Sequence, residues 1–214
     1  ARHPNAGAVL VVGLGCENLT HEQFLQELGP YDPERIKFLT CQEVEDEMTA
    51  GRELLEQLAA FAGRYHRQSL PVGKLVVGLK CGGSDGLSGI TANPTVGAFS
   101  DLLIRQGGST ILTEVPEMFG AERMLMQRCV TKEVFDKTVK LVNGFKEYFL
   151  RHGEAVSDNP SPGNREGGIT TLEDKSCGCI QKGGTAPVVD VLDYGDPVHT
   201  NGLNLLYGPG NDLV

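Results

Sequence analysis

The chain has 214 residues, enough for one large domain or two small ones around a sizeable core. Its net charge of −9 argues against a nucleic-acid backbone as partner, and no apolar run approaches the about 20 residues of a membrane span. The 28 glycines and 11 prolines follow no period, which removes collagen-like and solenoid architectures.

In chain order, "AVLVVG" (8–13) is the first strand candidate; without a cleavage site it is a core strand rather than a signal peptide. "LTHEQFLQEL" then starts a helix with a capping box, Thr20 with Gln23, and a staple of Leu19 with Phe24. "IKFLT" (36–40) is the second strand. Thr40 and Glu43 offer another capping box for a long helix, along which Val44, Met48, Gly51, Leu55, Leu58, Ala62 and Tyr65 keep the helical period. "KLVVGL" (74–79) is the third strand, and "NPTVGAFSDLLIRQGG" the helix after it, with Pro94 in its first turn. "STILTEV" (109–115) precedes a helix carrying Phe135, Leu141, Val142, Phe145 and Phe149 on one stripe and stopping at Gly153. Residues 153–185 show little apolar periodicity and are expected to form a long irregular Gly/Cys-rich loop at the active site. "APVVDVL" (186–192) and "LNLLYG" (203–208) close the fold. Most strands are continuously apolar, as strands covered on both faces are. The expectation is a three-layer, Rossmann-like α/β fold with a mostly parallel sheet, one α/β domain over 1–152, the loop over 153–185, and closing strands of the same domain over 186–214.

Ligands of such sheets bind beyond the carboxyl ends of the strands. Two strands end on the same pattern there, "GLGC" at Cys16 and "GLKC" at Cys81, and the loop adds "SCGCIQKGG" with Cys177 and Cys179. If both strands share one sheet, Cys16 and Cys81 leave it at the same edge. With no secretion signal, the six cysteines are expected to be reduced and the compartment cytoplasmic. Cys129, inside "MLMQRCV", is expected to be core packing. No Cys-x-x-Cys pair exists for a zinc knot, whereas Cys16, Cys81 and Cys179 on three separate segments suit iron, alone or in a cluster. Beside Cys81 lies a polar group of Ser84, Asp85, Ser88, Thr91 and Asn93, ahead of a helix N-terminus that favours an anion. Lys175 and Lys182 would supply positive charge. "GLGCEN" is at most a fragment of a dinucleotide fingerprint, because Asn18 occupies the third glycine position.

The segments "HPNAGAVLVVGLGCEN", "GLKCGGSDGLSGITANP", "LTEVPEMFGAE", the run from Asn159 to Gly184, and "GLNLL..PGND" together resemble the altronate/galactarate dehydratase family along nearly the whole chain. The run from Asn159 is closer to the altronate branch; the galactarate branch lacks a cysteine matching Cys179. Family members are longer, with a small N-terminal domain and further residues after "GPGNDLV", so the resemblance implies a piece that folds but does not turn over alone.

What the resemblance implies chemically is elimination of water from a sugar acid, D-altronate giving 2-dehydro-3-deoxy-D-gluconate in hexuronate breakdown, with ferrous iron as the associated metal. Galactarate dehydration is the alternative, as is a non-catalytic domain that binds a small acid or a metal. Asp85 and Lys182 are the catalytic candidates, Ser84, Ser88, Thr91, Asn93 and Lys175 the substrate-binding ones, and Cys16, Cys81 and Cys179 the metal ligands. The partner expected is a small sugar acid, with neither nucleic acid nor membrane, and a homo-oligomer is compatible with the sequence.

Overall fold

The computed structural model describes residues 1–208, so the Pro209–Asp212 part of the closing motif lies outside the described residues. The chain divides into two compact units, 1–69 and 70 onward. That boundary falls inside the span expected to be one domain.

The first unit is a two-stranded parallel sheet, β1 (Val9–Gly13) beside β2 (Ile36–Thr40), with helices α1 (His21–Leu28) and α2 (Glu47–Ala62). Helix α1 has the expected capping box: Thr20 accepts from the Gln23 N–H at 3.3 Å, and the Gln23 side chain accepts from the Thr20 N–H at 2.9 Å. Helix α2 does not start where expected. Residues Cys41–Glu43 form a separate 3-10 turn with no side-chain cap, and Asp46 caps α2 by accepting from the Met48 and Thr49 N–H groups. Asp46 wins because its carboxylate reaches two of the helix's unpaired donors at once. The buried residues of α2 are Gly51, Leu58 and Phe61, whereas Met48 and Leu55 of the expected stripe are exposed.

The second unit holds a four-stranded, all-parallel sheet in the order β3 (Val76–Leu79), β4 (Ser109–Leu112), β6 (Leu203–Leu206), β5 (Val188–Leu192). Helix α3 (Ala92–Arg105) packs on β4, where Ser100 meets Thr110 at 2.9 Å. The short α4 (Glu122–Met126) leads into α5 (Lys132–Arg151), which packs on β5. Helices around parallel strands give the expected three-layer α/β arrangement. Leu112, Leu125, Val188, Leu203 and Leu205 are wholly buried, with Val142 and Phe145 of α5 against them. Phe135, placed on the same stripe by its spacing, is exposed.

Two expectations are corrected here. β1 and β3 belong to different sheets, so Cys16 and Cys81 do not leave a common sheet edge. The segment 153–185 is not a long irregular loop: it contains α6 (Pro162–Glu166) and α7 (Leu172–Gln181). Several of its glycines, which mimic a loop in the sequence, serve close packing. A Cβ at Gly178 would lie 3.0 Å from Asn93 Nδ2, and one at Gly97 would strike the Gln181 carbonyl, so α3 and α7 approach through bare backbone.

Candidate active site and metal centre

β3 and β4 are parallel neighbours in a register that pairs Leu79 with Leu112. Two residues beyond each lie Cys81 and Glu114, which therefore meet at the carboxyl edge of the sheet: the Cys81 N–H donates to Glu114 Oε2 at 2.9 Å. Glu114 holds a left-handed backbone, φ 65° and ψ 55°, as the chain turns into the 3-10 segment Val115–Met118. For a residue with a Cβ this conformation costs on the order of 1–3 kcal/mol and is typical of functional sites. The turn brings Glu117 to the same point. Glu114 is 0 % and Glu117 3 % exposed.

Helix α7 packs on this turn and supplies the opposite charges. Lys175, Cys179 and Lys182 follow a spacing of four and then three residues, which puts them on one helical face. Lys182, just past the last turn, donates to Glu114 Oε2 at 2.8 Å, and Lys175 lies 3.2 Å from Glu117 Oε1. Both ammonium groups are as buried as their partners. Lys175 also donates to Asn164 Oδ1 at 2.9 Å and lies 3.9 Å from Cys81 Sγ. Asn164 in turn donates to the Ser84 carbonyl at 2.9 Å, and the Gly86 N–H donates to the Gly167 carbonyl at 2.7 Å. The Cys81–Gly86 loop is thus stitched to α6. Cys81 Sγ lies 2.9 Å from Ser84 Oγ.

Beside this buried cluster opens a polar cleft of about 340 Å³, lined by Ser84, Asp85, Ser88, Asn93, Lys175 and Gln181 among others. Lys175 belongs to both. Five of the seven residues expected to act on substrate are therefore gathered in one cleft. Lys182 sits in the cluster behind it, and Thr91 spends its hydroxyl on the Leu87 carbonyl. Asp85 is exposed, and its carboxylate accepts from the Ser88 hydroxyl and from the Leu87 and Ser88 N–H groups. The Ser88 hydroxyl first, then the Leu87 N–H, hold it below the usual carboxylate range. Such a group organises the loop and is a weak base.

The expected metal ligands divide. The sulfur of Cys81 and carboxylate oxygens of Glu114 and Glu117 lie within 4.8 Å of one another, a donor set of one sulfur and two oxygens. That mixture fits a borderline divalent transition metal such as iron(II). Cys179 is outside this set; it is buried beside Lys182, and burial pushes its thiol far above the ordinary thiol range against the opposing pull of that lysine. Against burial, which favours the neutral amine, the Glu114 carboxylate at 2.8 Å holds Lys182 as an ammonium. Cys16 lies in the first unit, exposed, with its N–H and that of Gly15 donating to Glu17 Oε2 at 3.0 and 2.7 Å. Sequence reasoning missed Glu114, Glu117 and Asn164. The available signal was two glutamates three apart directly after a buried strand.

A family model described as D-galactarate/altronate dehydratase, C-terminal, matches residues 72–214, and one described as D-galactarate dehydratase/altronate hydrolase, second domain, matches 1–63. The altronate dehydratases of Bacillus subtilis (strain 168) and Escherichia coli (strain K12) are 59% and 58% identical over 213 residues, 100% of this chain and 43% of each relative. The galactarate dehydratase (L-threo-forming) of Escherichia coli (strain K12) is 35% identical over 221 residues, 99% of this chain and 42% of that relative. The chain thus spans less than half the length of the curated relatives it matches. The strand-exit cluster and its cleft sit within the C-terminal match, and this chain belongs to the D-galactarate/altronate dehydratase family.

Proposed function

We propose that the protein containing this chain is a hydro-lyase that removes water from D-altronate to give 2-dehydro-3-deoxy-D-gluconate, in the breakdown of hexuronates in the cytoplasm. The observation that carries the reading is a polar cleft backed by a buried Cys81/Glu114/Glu117 donor set and two buried lysines. The identities of 58–59% to altronate dehydratases, against 35% to galactarate dehydratase, favour the monoacid substrate.

Elimination requires loss of a weakly acidic proton beside a carboxylate and departure of hydroxide from the next carbon. The ligands of the iron would be Cys81, Glu114 and Glu117, and a bound divalent ion supplies Lewis-acid stabilisation of the developing negative charge. The remaining steps belong to the chain's side chains. Ser84, Ser88, Asn93 and Gln181 present hydroxyl and amide groups to the polyol. Lys175 donates to Asn164 and to the more distant Cys81 sulfur and pairs with Glu117, so it carries the cluster's positive charge to the wall of the cleft. Lys182 fixes Glu114 and adds positive charge behind the cleft. The same reading gives the protein a small-molecule ligand in place of a nucleic acid or membrane.

The test is turnover by the complete protein under anaerobic conditions with and without iron(II), on altronate and galactarate. Iron-dependent dehydration that is faster on altronate is expected. Equal or faster turnover of galactarate would refute the substrate assignment, and no dehydration of either acid would refute the activity.

A further inference from the structure

We propose that the cluster takes up its divalent cation and a 2-hydroxy-acid anion cooperatively, each tightening the binding of the other. This rests on the dehydratase reading of the cleft and deepens it. The ground is the charge already stored in the site. Glu114 and Glu117 are each matched by an ammonium as buried as themselves, Lys182 at 2.8 Å and Lys175 at 3.2 Å. Two carboxylates against two ammonium groups leave this interior close to neutral with no metal present. A divalent cation among Cys81, Glu114 and Glu117 adds two positive charges where water screens poorly. Even with Cys81 as a thiolate, one positive charge is left over. Buried charge without a partner is strongly unfavourable, so the metal alone is held below the affinity its three donors would otherwise give.

An anion in the adjoining cleft removes that penalty. Lys175 lines the cleft and touches the cluster, so a carboxylate placed there feels the surplus charge across a short, poorly solvated path. Asp85 and Asp174 also line the cleft, but both are exposed, and solvent screens them. The anion, in turn, gains little from a site whose lysines are already spent on glutamates until the metal arrives. Binding linkage is reciprocal, so the two effects are one coupling factor.

The probes are Mn²⁺ and lactate, a 2-hydroxy acid with no hydroxyl on the third carbon and so nothing to eliminate. Calorimetric titration of the complete protein with Mn²⁺, with and without saturating lactate, reads the coupling directly. Binding about tenfold or more tighter with lactate is expected, with the same factor for lactate when Mn²⁺ is saturating. Lys182→Met removes one of the stored charges and shrinks the factor toward unity, while Lys182→Arg keeps the charge and the factor. The arginine variant guards against a methionine variant that does not fold. Equal Mn²⁺ affinity with and without lactate overturns the proposal, and so does failure of either probe to bind. Altronate turnover by the same preparation separates the two readings. Turnover with independent binding sinks the coupling alone, and coupled binding without turnover sinks the dehydratase reading alone.

Discussion

Two strands of this chain end on Gly-Leu-x-Cys, yet the cysteines enter different chemistry. After β1, Cys16 is exposed, and the loop closes on itself: Glu17 turns back to accept from the Gly15 and Cys16 N–H groups. After β3, Cys81 is half-buried, and its N–H reaches a glutamate on the neighbouring strand's exit. The difference lies in the neighbour. β1 runs beside β2, which continues as Cys41 and Gln42; β3 runs beside β4, which continues as Thr113 and the strained, buried Glu114. An exit motif gains its role from what the adjacent parallel strand delivers to the same edge, and a single-strand motif cannot report that.

The sharpest way to break this comparison is to remove each sulfur. Cys81→Ser in the complete protein is expected to lower iron-dependent altronate turnover by more than about 100-fold, since even partners of metal ligands are worth 10–100-fold. Cys16→Ser is expected to cost far less, and equal losses in steady-state assays would erase the contrast. The buried charges come next. Lys182→Met leaves Glu114 buried beside an apolar group and is expected to destabilise the chain by about 3–5 kcal/mol in urea titration. Glu17→Gln, at a surface carboxylate, is expected to leave the midpoint unchanged.

Smaller effects test the frame that carries the two exits. Leu112→Ala, at the wholly buried end of β4, is expected to cost about 2–5 kcal/mol. Thr20→Ala removes half of the α1 capping box and is expected to cost about 1 kcal/mol. The smallest effect is a pH dependence. The Thr49 hydroxyl first, then the Thr49 N–H, hold the Asp46 carboxyl below its ordinary value. Its support of α2 is therefore present above the ordinary carboxylate pKa and is lost as the pH falls through the lowered one. An Asp46→Asn chain should show a weaker loss of stability on acidification, measured by circular dichroism.

The parallel α/β class, the Thr20 cap and most of the cleft were legible in the sequence because each depends on local pattern. Apolar runs report buried strands, and Ser84, Asp85, Ser88 and Asn93 sit on one short segment with Cys81. The buried glutamates were hidden because burial of a carboxylate depends on a partner about seventy residues away, Lys182 for Glu114. Helix α7 was hidden by its own glycines, which suggest a loop until α3 is seen to press against them. Asp46 displaced Thr40 as the α2 cap because two capping signals six residues apart cannot be ranked without the backbone. The single-sheet expectation failed because strand order is a tertiary property that alternation of elements does not encode.

The central claim is that the chemistry gathers where β3 and β4 exit together. Anomalous diffraction at the iron edge, from crystals of the complete protein grown anaerobically with iron(II), tests it most directly. The account predicts a peak bounded by Cys81 Sγ and the carboxylates of Glu114 and Glu117. A peak ligated by Cys16 without these three residues, or iron-dependent turnover with no peak at this cluster, would contradict it.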